Sequence, residues 1–223
     1  MSAVSQPAAS AQSGPEQPVS PNNPCPLLRA LVARGNISGH IEQLSVIADT
    51  VTAASGAASP EPPISKAAVY LIAMIANGLG PMRLAINVRE GARLDALRGG
   101  PLDKRGAGSR ILDAAGLIDE RELTRLDQFA VDKVDASGVV ERGLGIEQLR
   151  AMMDANFARA VAKRRRIDRL LMEGEWPVLL RVMGKSSGKG RYLSLTEVRT
   201  LFVDRVLPLR IAGRLDAKAI STG

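Results

Sequence analysis

This 223-residue chain holds a single thiol and a single imidazole. The thiol, Cys25, stands in the run Asn23-Pro24-Cys25-Pro26-Leu27-Leu28-Arg29-Ala30-Leu31-Val32-Ala33-Arg34-Gly35. Pro26 suits the first position of a helix, because its missing N–H costs nothing there and its φ is already set. Leu27, Leu28, Leu31 and Val32 fall on one helical face, and Gly35 can end the helix in a left-handed conformation. A sulfur at such a helix start lies beside unpaired N–H donors and the positive end of the macrodipole. Both favour thiolate, the form that ligates metals. The plain alternative is a small buried hydrophobe. A single cysteine excludes an internal disulfide and a multi-cysteine zinc site. His40 is the only histidine, so any His-metal cluster, Ser-His-Asp triad or Cys-His pair must run through it. Its place near a predicted helix start points instead to a solvated side chain.

The carboxylates with the most suggestive setting are Asp119 and Glu120, in Gly116-Leu117-Ile118-Asp119-Glu120-Arg121-Glu122-Leu123-Thr124-Arg125-Leu126-Asp127-Gln128-Phe129. They open a helix predicted from about Glu120 to Phe129. There they could move a proton, or simply stabilise the helix dipole. Two other stretches fail as motifs. With Gly138 at position six of a calcium loop, Lys133 and Leu144 fall where carboxylates are required, so Asp135-Ala136-Ser137-Gly138 is a turn. Gly184-Lys185-Ser186 has Leu179 where a phosphate loop needs glycine, and is read as a Gly/Ser/Lys loop. Lys163, Arg164, Arg165, Arg166 and Arg169 form a basic run that winds around a helix, which suits solvated charge more than a phosphate-binding face.

The elements that must carry these groups read as helices. Hydrophobic residues make up 45% of the chain but aromatics only 3%, so Leu, Ile, Val and Ala must build the core. That composition favours helix over sheet. An all-α domain of about eight to ten helices over residues 23–215 is expected, between a disordered Ala/Ser/Pro tail over 1–22 and a short tail over 216–223. Ser38 is expected to cap a helix over about His40–Thr52, after which residues 53–63 form a loop. Ser65 is expected to cap a buried helix reaching Asn77. A long helix should run from Ile146 toward Leu171. Ser194-Leu195-Thr196-Glu197 reads as a capping box for a last helix that Pro208 ends. No apolar run reaches the roughly 18 residues of a membrane span. The chain shows no signal-peptide pattern, so a cytoplasmic location is expected. A net charge of +7 permits an acidic partner without requiring one.

Pro24-Cys25-Pro26 and its apolar helix resemble the haem-ligating segment of the haem-thiolate peroxidases, the chloroperoxidase and unspecific peroxygenase family. Three later stretches resemble that family in the same order. They are Leu123-Thr124-Arg125-Leu126-Asp127, then Gly174-Glu175-Trp176-Pro177-Val178-Leu179-Leu180, then Leu201 to Pro208. The resemblance implies a haem b enclosed by the helices, with Cys25 as axial iron ligand. It also implies hydrogen peroxide and a small organic or halide substrate as partners. The family's distal motif is Glu-His-Asp or Glu-Gly-Asp. Here Ile118 falls where it has glutamate, Asp119 where it has histidine or glycine, and Glu120 replaces the aspartate. Asp119 or Glu120 would then be the acid–base group. A second cation, which the family holds through that glutamate, is in doubt. A haem-binding protein without turnover and a basic helical nucleic-acid module are the competing readings. The second lacks aromatic stacking groups and a helix-turn-helix signature.

Overall fold

A computed structural model describes residues 17–56, 64–103, 107–161, 164–188 and 190–222. Residues 1–16 of the tail expected over 1–22, most of the 53–63 loop, and Lys163 lie outside the described residues. The chain opens as anticipated around the cysteine. Helix α1 (Pro26–Ala33) has Cys25 as its extended N-cap and Pro26 in its first turn. Gly35, at φ +77°, closes it. The Gly35 N–H reaches the Val32 carbonyl and the Asn36 N–H the Leu31 carbonyl, both at 2.9 Å, which is a Schellman closure.

From there the fold departs from an all-α bundle: among the described residues it is mixed, 53% helical and 12% strand. Strand β1 (Ile41–Glu42) precedes helix α2 (Leu44–Ser55). The predicted Ser38-capped helix therefore starts later, at Leu44. The Glu42 carboxylate accepts the Ser38 N–H at 2.7 Å and the Gln43 N–H at 2.9 Å, and so holds a turn where a helix was expected. Helices α3 (Lys66–Ile75) and α4 (Pro81–Glu90) follow. Strand β2 (Ala92–Arg93) then pairs antiparallel with β1. A Cβ on Gly91, at φ +105°, would lie 2.3 Å from the Glu42 carbonyl oxygen, so only glycine permits that approach. Helix α3 is not the buried helix expected. Only Val69 and Ala73 are sealed from water, and Leu71 is 54% exposed. Its apolar run covers one side of the core and leaves the other side wet.

The second half contains the sheet. Helix α5 (Glu120–Thr124) passes through a 3-10 turn at Arg125–Gln128 into strand β3 (Val131–Val134). Strand β4 (Val140–Gly145) leads into helix α6 (Ile146–Arg159). Helices α7 (Asp168–Met172) and α8 (Trp176–Met183) come next. Strands β5 (Lys185–Ser187) and β6 (Gly190–Ser194) precede helices α9 (Leu195–Val203) and α10 (Leu209–Thr222). The four strands form one antiparallel sheet in the order β3-β4-β6-β5. Asp135 Oδ1 organises the first hairpin by accepting the N–H groups of Ser137 at 2.9 Å and Val139 at 3.0 Å, with Gly138 at φ +86°. The Gly/Ser/Lys loop is thus the second hairpin, and α10 runs through the residues expected as a short tail.

Two side-chain networks explain further departures. The long helix from Ile146 breaks after Arg159. Asp168, fully buried, accepts the Arg165 N–H at 2.7 Å and Arg165 Nε at 2.8 Å, which holds Arg165 and Arg166 in a turn ahead of α7. Ser194 is the N-cap of α9, but its hydroxyl donates to Glu141 Oε2 at 2.6 Å and makes no cap bond. Glu197 pairs with Arg210 instead of completing a capping box. The Glu141 carboxylate also accepts the Tyr192 hydroxyl at 2.7 Å and Lys185 Nζ, so one charge ties β4 to β5 and β6. Burial pushes this carboxyl up, but Lys185, Ser194 and Tyr192 together hold it below its ordinary value. Burial, then Glu141, pushes the Tyr192 phenol well above its ordinary value.

The core joins α1, α2, α8 and α9, with Trp176 and Phe202 stacked at 6.1 Å between centroids. Met152, Met153, Met172 and Met183 are fully buried. Flexible thioethers fill irregular gaps in a core with few aromatic rings. No helix is long and apolar enough to cross a membrane among the described residues.

Candidate functional site

A cavity of about 760 Å³ opens between α1, α2, α3 and α8. This lies within the roughly 300–1,000 Å³ of small-molecule and cofactor sites. Ile47, Val51, Val69, Ile72, Leu94 and Leu97 make much of its wall apolar. Cys25 lies on that wall, half-buried and packed against the core. The turn before it is rigid for local reasons. The Cys25 N–H donates to Asn23 Oδ1 at 3.1 Å, Asn23 is buried, and prolines flank the cysteine. The Cys25 carbonyl accepts the Arg29 N–H at 3.0 Å and so starts α1. The sulfur is therefore carried at the N-terminus of an eight-residue helix.

Asp119 lines the same cavity, whereas Glu120 does not. Asp119 is the N-cap of α5. Its Oδ1 accepts the N–H groups of Arg121 at 3.0 Å and Glu122 at 3.3 Å, and its own N–H donates to the Ile111 carbonyl at 2.8 Å. Both cap bonds end on Oδ1, and the residue is exposed at the cavity rim. Glu120 is more than half exposed and pairs with Arg199 at 3.0 Å on the outer side of α5. Of the two predicted carboxylates, only Asp119 thus shares a cavity with the thiol. His40 is exposed, as expected, and pairs with Asp95.

Glu175 is the residue that motif reasoning passed over. It precedes α8, lines the cavity, and its Oε2 is sealed from solvent. Its signal in the sequence is a carboxylate directly before Trp176-Pro177, where a helix start could be anticipated from the proline. The cavity wall also carries Arg98, Arg110 and Arg159. Arg159 holds Glu122 through two bonds of 2.8 and 2.7 Å, and this contact keeps the Glu122 carboxyl below its usual range.

The basic run is largely engaged within the fold. Arg164 stacks over the Phe157 ring at 4.0 Å. Arg165 binds Asp168 and the carbonyls of Pro101 and Asp103. Arg169 pairs with Asp154 and Glu173. Arg166 is exposed. No group of three or more His, Cys, Asp or Glu side chains is arranged to hold a metal ion among the described residues. A thiolate axial ligand needs no such group, since a haem brings four of the iron's ligands itself. No protein-family model, curated protein or solved structure matches the chain.

Proposed function

We propose that this protein is a haem-thiolate oxidoreductase that uses peroxide, with Cys25 as the axial ligand. The observation that carries this reading is the shared cavity of Cys25 and Asp119, two groups from distant parts of the chain. The residues present suit the group. The cavity is large and mainly apolar, and a sulfur stands at its edge on a helix N-terminus. When bound, haem supplies the redox centre at which peroxide is reduced to water and an organic or halide substrate is oxidised.

The chain's own contribution is placement and proton handling. The Asn23 side chain and the two prolines fix the thiol, and the start of α1 stabilises negative charge on sulfur. Asp119 Oδ2 takes a proton from peroxide and returns it to the departing oxygen, while Oδ1 stays anchored on α5. Glu175 offers a second carboxylate within the cavity. A second reading, haem binding without turnover, draws on Glu120 lying outside the cavity against Arg199.

Reconstitution with haem tests the proposal. The wild-type chain is expected to give a thiolate-type Soret spectrum and a strongly red-shifted ferrous–CO band, and Cys25→Ala to lose both. An unchanged spectrum in Cys25→Ala removes the ligand assignment. A thiolate spectrum without peroxide-dependent oxidation of a simple phenol selects the binding-only reading.

A further inference from the structure

Arg29 is 4% exposed, one helical turn after Cys25, and no carboxylate receives its guanidinium among its described hydrogen bonds. Its acceptors are three backbone carbonyls: Ser20 and Asn23, at 3.1 and 3.3 Å from Nη1, and Gly116, at 3.4 Å from Nη2. The first two belong to the turn that presents Cys25. The third belongs to the segment that runs directly into Asp119. Burial pulls this guanidinium below its ordinary value, and the nearby charges of Arg205 and Arg98 add to the effect. So costly a placement calls for a reason, because a buried charge is tolerated only with good partners.

Arg98 makes the same connection from the surface. Its Nε donates to the Pro21 carbonyl at 3.3 Å and its Nη2 to the carbonyls of Leu112 and Asp113. Gly116 closes the junction from the other side. It sits at φ +75°, and a Cβ there would come 2.9 Å from Pro21 Cα and 3.3 Å from Arg29 Nη1. We infer that Arg29 is a positioning residue: it bolts the turn carrying Cys25 to the segment carrying Asp119, and so sets the two walls of the cavity against each other. The bolt is a matter of geometry alone; its value to an oxidation reaction rests on the reading above.

A planar fork is needed for this task, and a point charge cannot reproduce it. The test compares Arg29→Gln and Arg29→Lys by hydrogen exchange in the full chain without haem. It reads the amides of Cys25 and of Gly116 to Asp119. Loss of one charge-assisted bond weakens protection by roughly tenfold or more. Both segments are expected to lose protection together in Arg29→Gln, and Arg29→Lys to restore at most one of them. A folded Arg29→Gln chain that loosens only at Cys25 overturns the inference. If Arg29→Gln does not fold, Gly116→Ala strikes the junction from the opposite end. It is expected to loosen the Cys25 amide, and an unaltered Cys25 amide overturns the inference equally. With haem added, Arg29→Gln is expected to lose part of the red-shifted ferrous–CO band. An intact band beside lost protection shows that the bolt does not position the thiol, and overturns that role. Absence of the band in the wild type instead defeats the haem reading and leaves the bolt to be decided by exchange.

Discussion

Replacing Asp119 separates what its carboxylate does for the fold from what it does for chemistry. Oδ1 caps α5 through two N–H groups at 3.0 and 3.3 Å, and asparagine is an equally good cap. Asp119→Asn keeps those bonds and loses one negative charge at a helix start, which costs about 0.5 kcal/mol. Asp119→Ala loses the cap as well, about 1 kcal/mol more. Proton transfer by a placed group contributes about 10²–10⁴ in rate, equivalent to roughly 3–5 kcal/mol of barrier. Both variants should therefore lose that factor in kcat/KM for peroxide-dependent phenol oxidation by the haem-loaded protein. Their urea midpoints, by contrast, should differ from one another, with Asp119→Asn close to wild type. An Asp119→Asn protein within about threefold of wild-type kcat/KM refutes the reasoning, since the altered step is then not the one that matters. Glu175→Gln run beside it shows whether the proton is carried there instead.

Glu141→Gln removes the charge that joins Lys185, Tyr192 and Ser194, and should lower stability by about 2 kcal/mol in urea titration. The Glu141 carboxyl lies below its ordinary value in the fold, so its contribution is complete above the unfolded carboxylate value near about pH 4.3. That contribution fades as pH falls through the lower folded value, and Glu141→Gln should show a flatter loss of stability with acid than wild type. A parallel pH profile would count against the network. Asp168→Asn leaves Arg165 without its buried counter-charge. The cost expected for a broken buried pair is about 3–5 kcal/mol. It is reduced here to about 2–3 kcal/mol because Arg165 is partly exposed and keeps its carbonyl partners. Thermal unfolding measures it, and an unshifted midpoint contradicts the assigned role of Asp168 in ending α6.

What could be read from sequence was what neighbouring residues decide among themselves. The Pro26 start and Gly35 stop of α1 need no distant partner, and both are present. So does the Asp135-Ala136-Ser137-Gly138 turn, which a side-chain oxygen closes on its own backbone. The strands of the sheet were hidden because they are short, and because its edge strands β3 and β5 are of mixed polarity with no period-two apolar pattern. Composition weighed the whole chain and missed strand pairing, which hydrogen bonding between distant residues settles. The Ser194 capping box illustrates the same limit. Its local pattern was sound, but the Ser194 hydroxyl donates to Glu141, from another strand, and makes no bond to the N–H groups it would cap. At the candidate site, Cys25 was visible through its prolines, whereas choosing Asp119 over Glu120 required knowing which side of α5 faces the cavity. Arg29 carried no signal, since a lone arginine on an apolar helix face reads as an exposed end of that face.

The cavity draws on distant parts of the chain, with Cys25 and Leu28 on one wall and Trp176 and Phe202 on another. Arg34 reaches Asp216 across a separation of 182 residues to fasten two distant parts together. During synthesis the cysteine therefore leaves the ribosome long before its enclosure exists. At roughly 5–20 residues per second, the interval is about ten to forty seconds. Through that time the thiol travels on an unfinished chain, open to oxidants and stray metals. A ligand of the finished cavity is enclosed only once those later helices have been made.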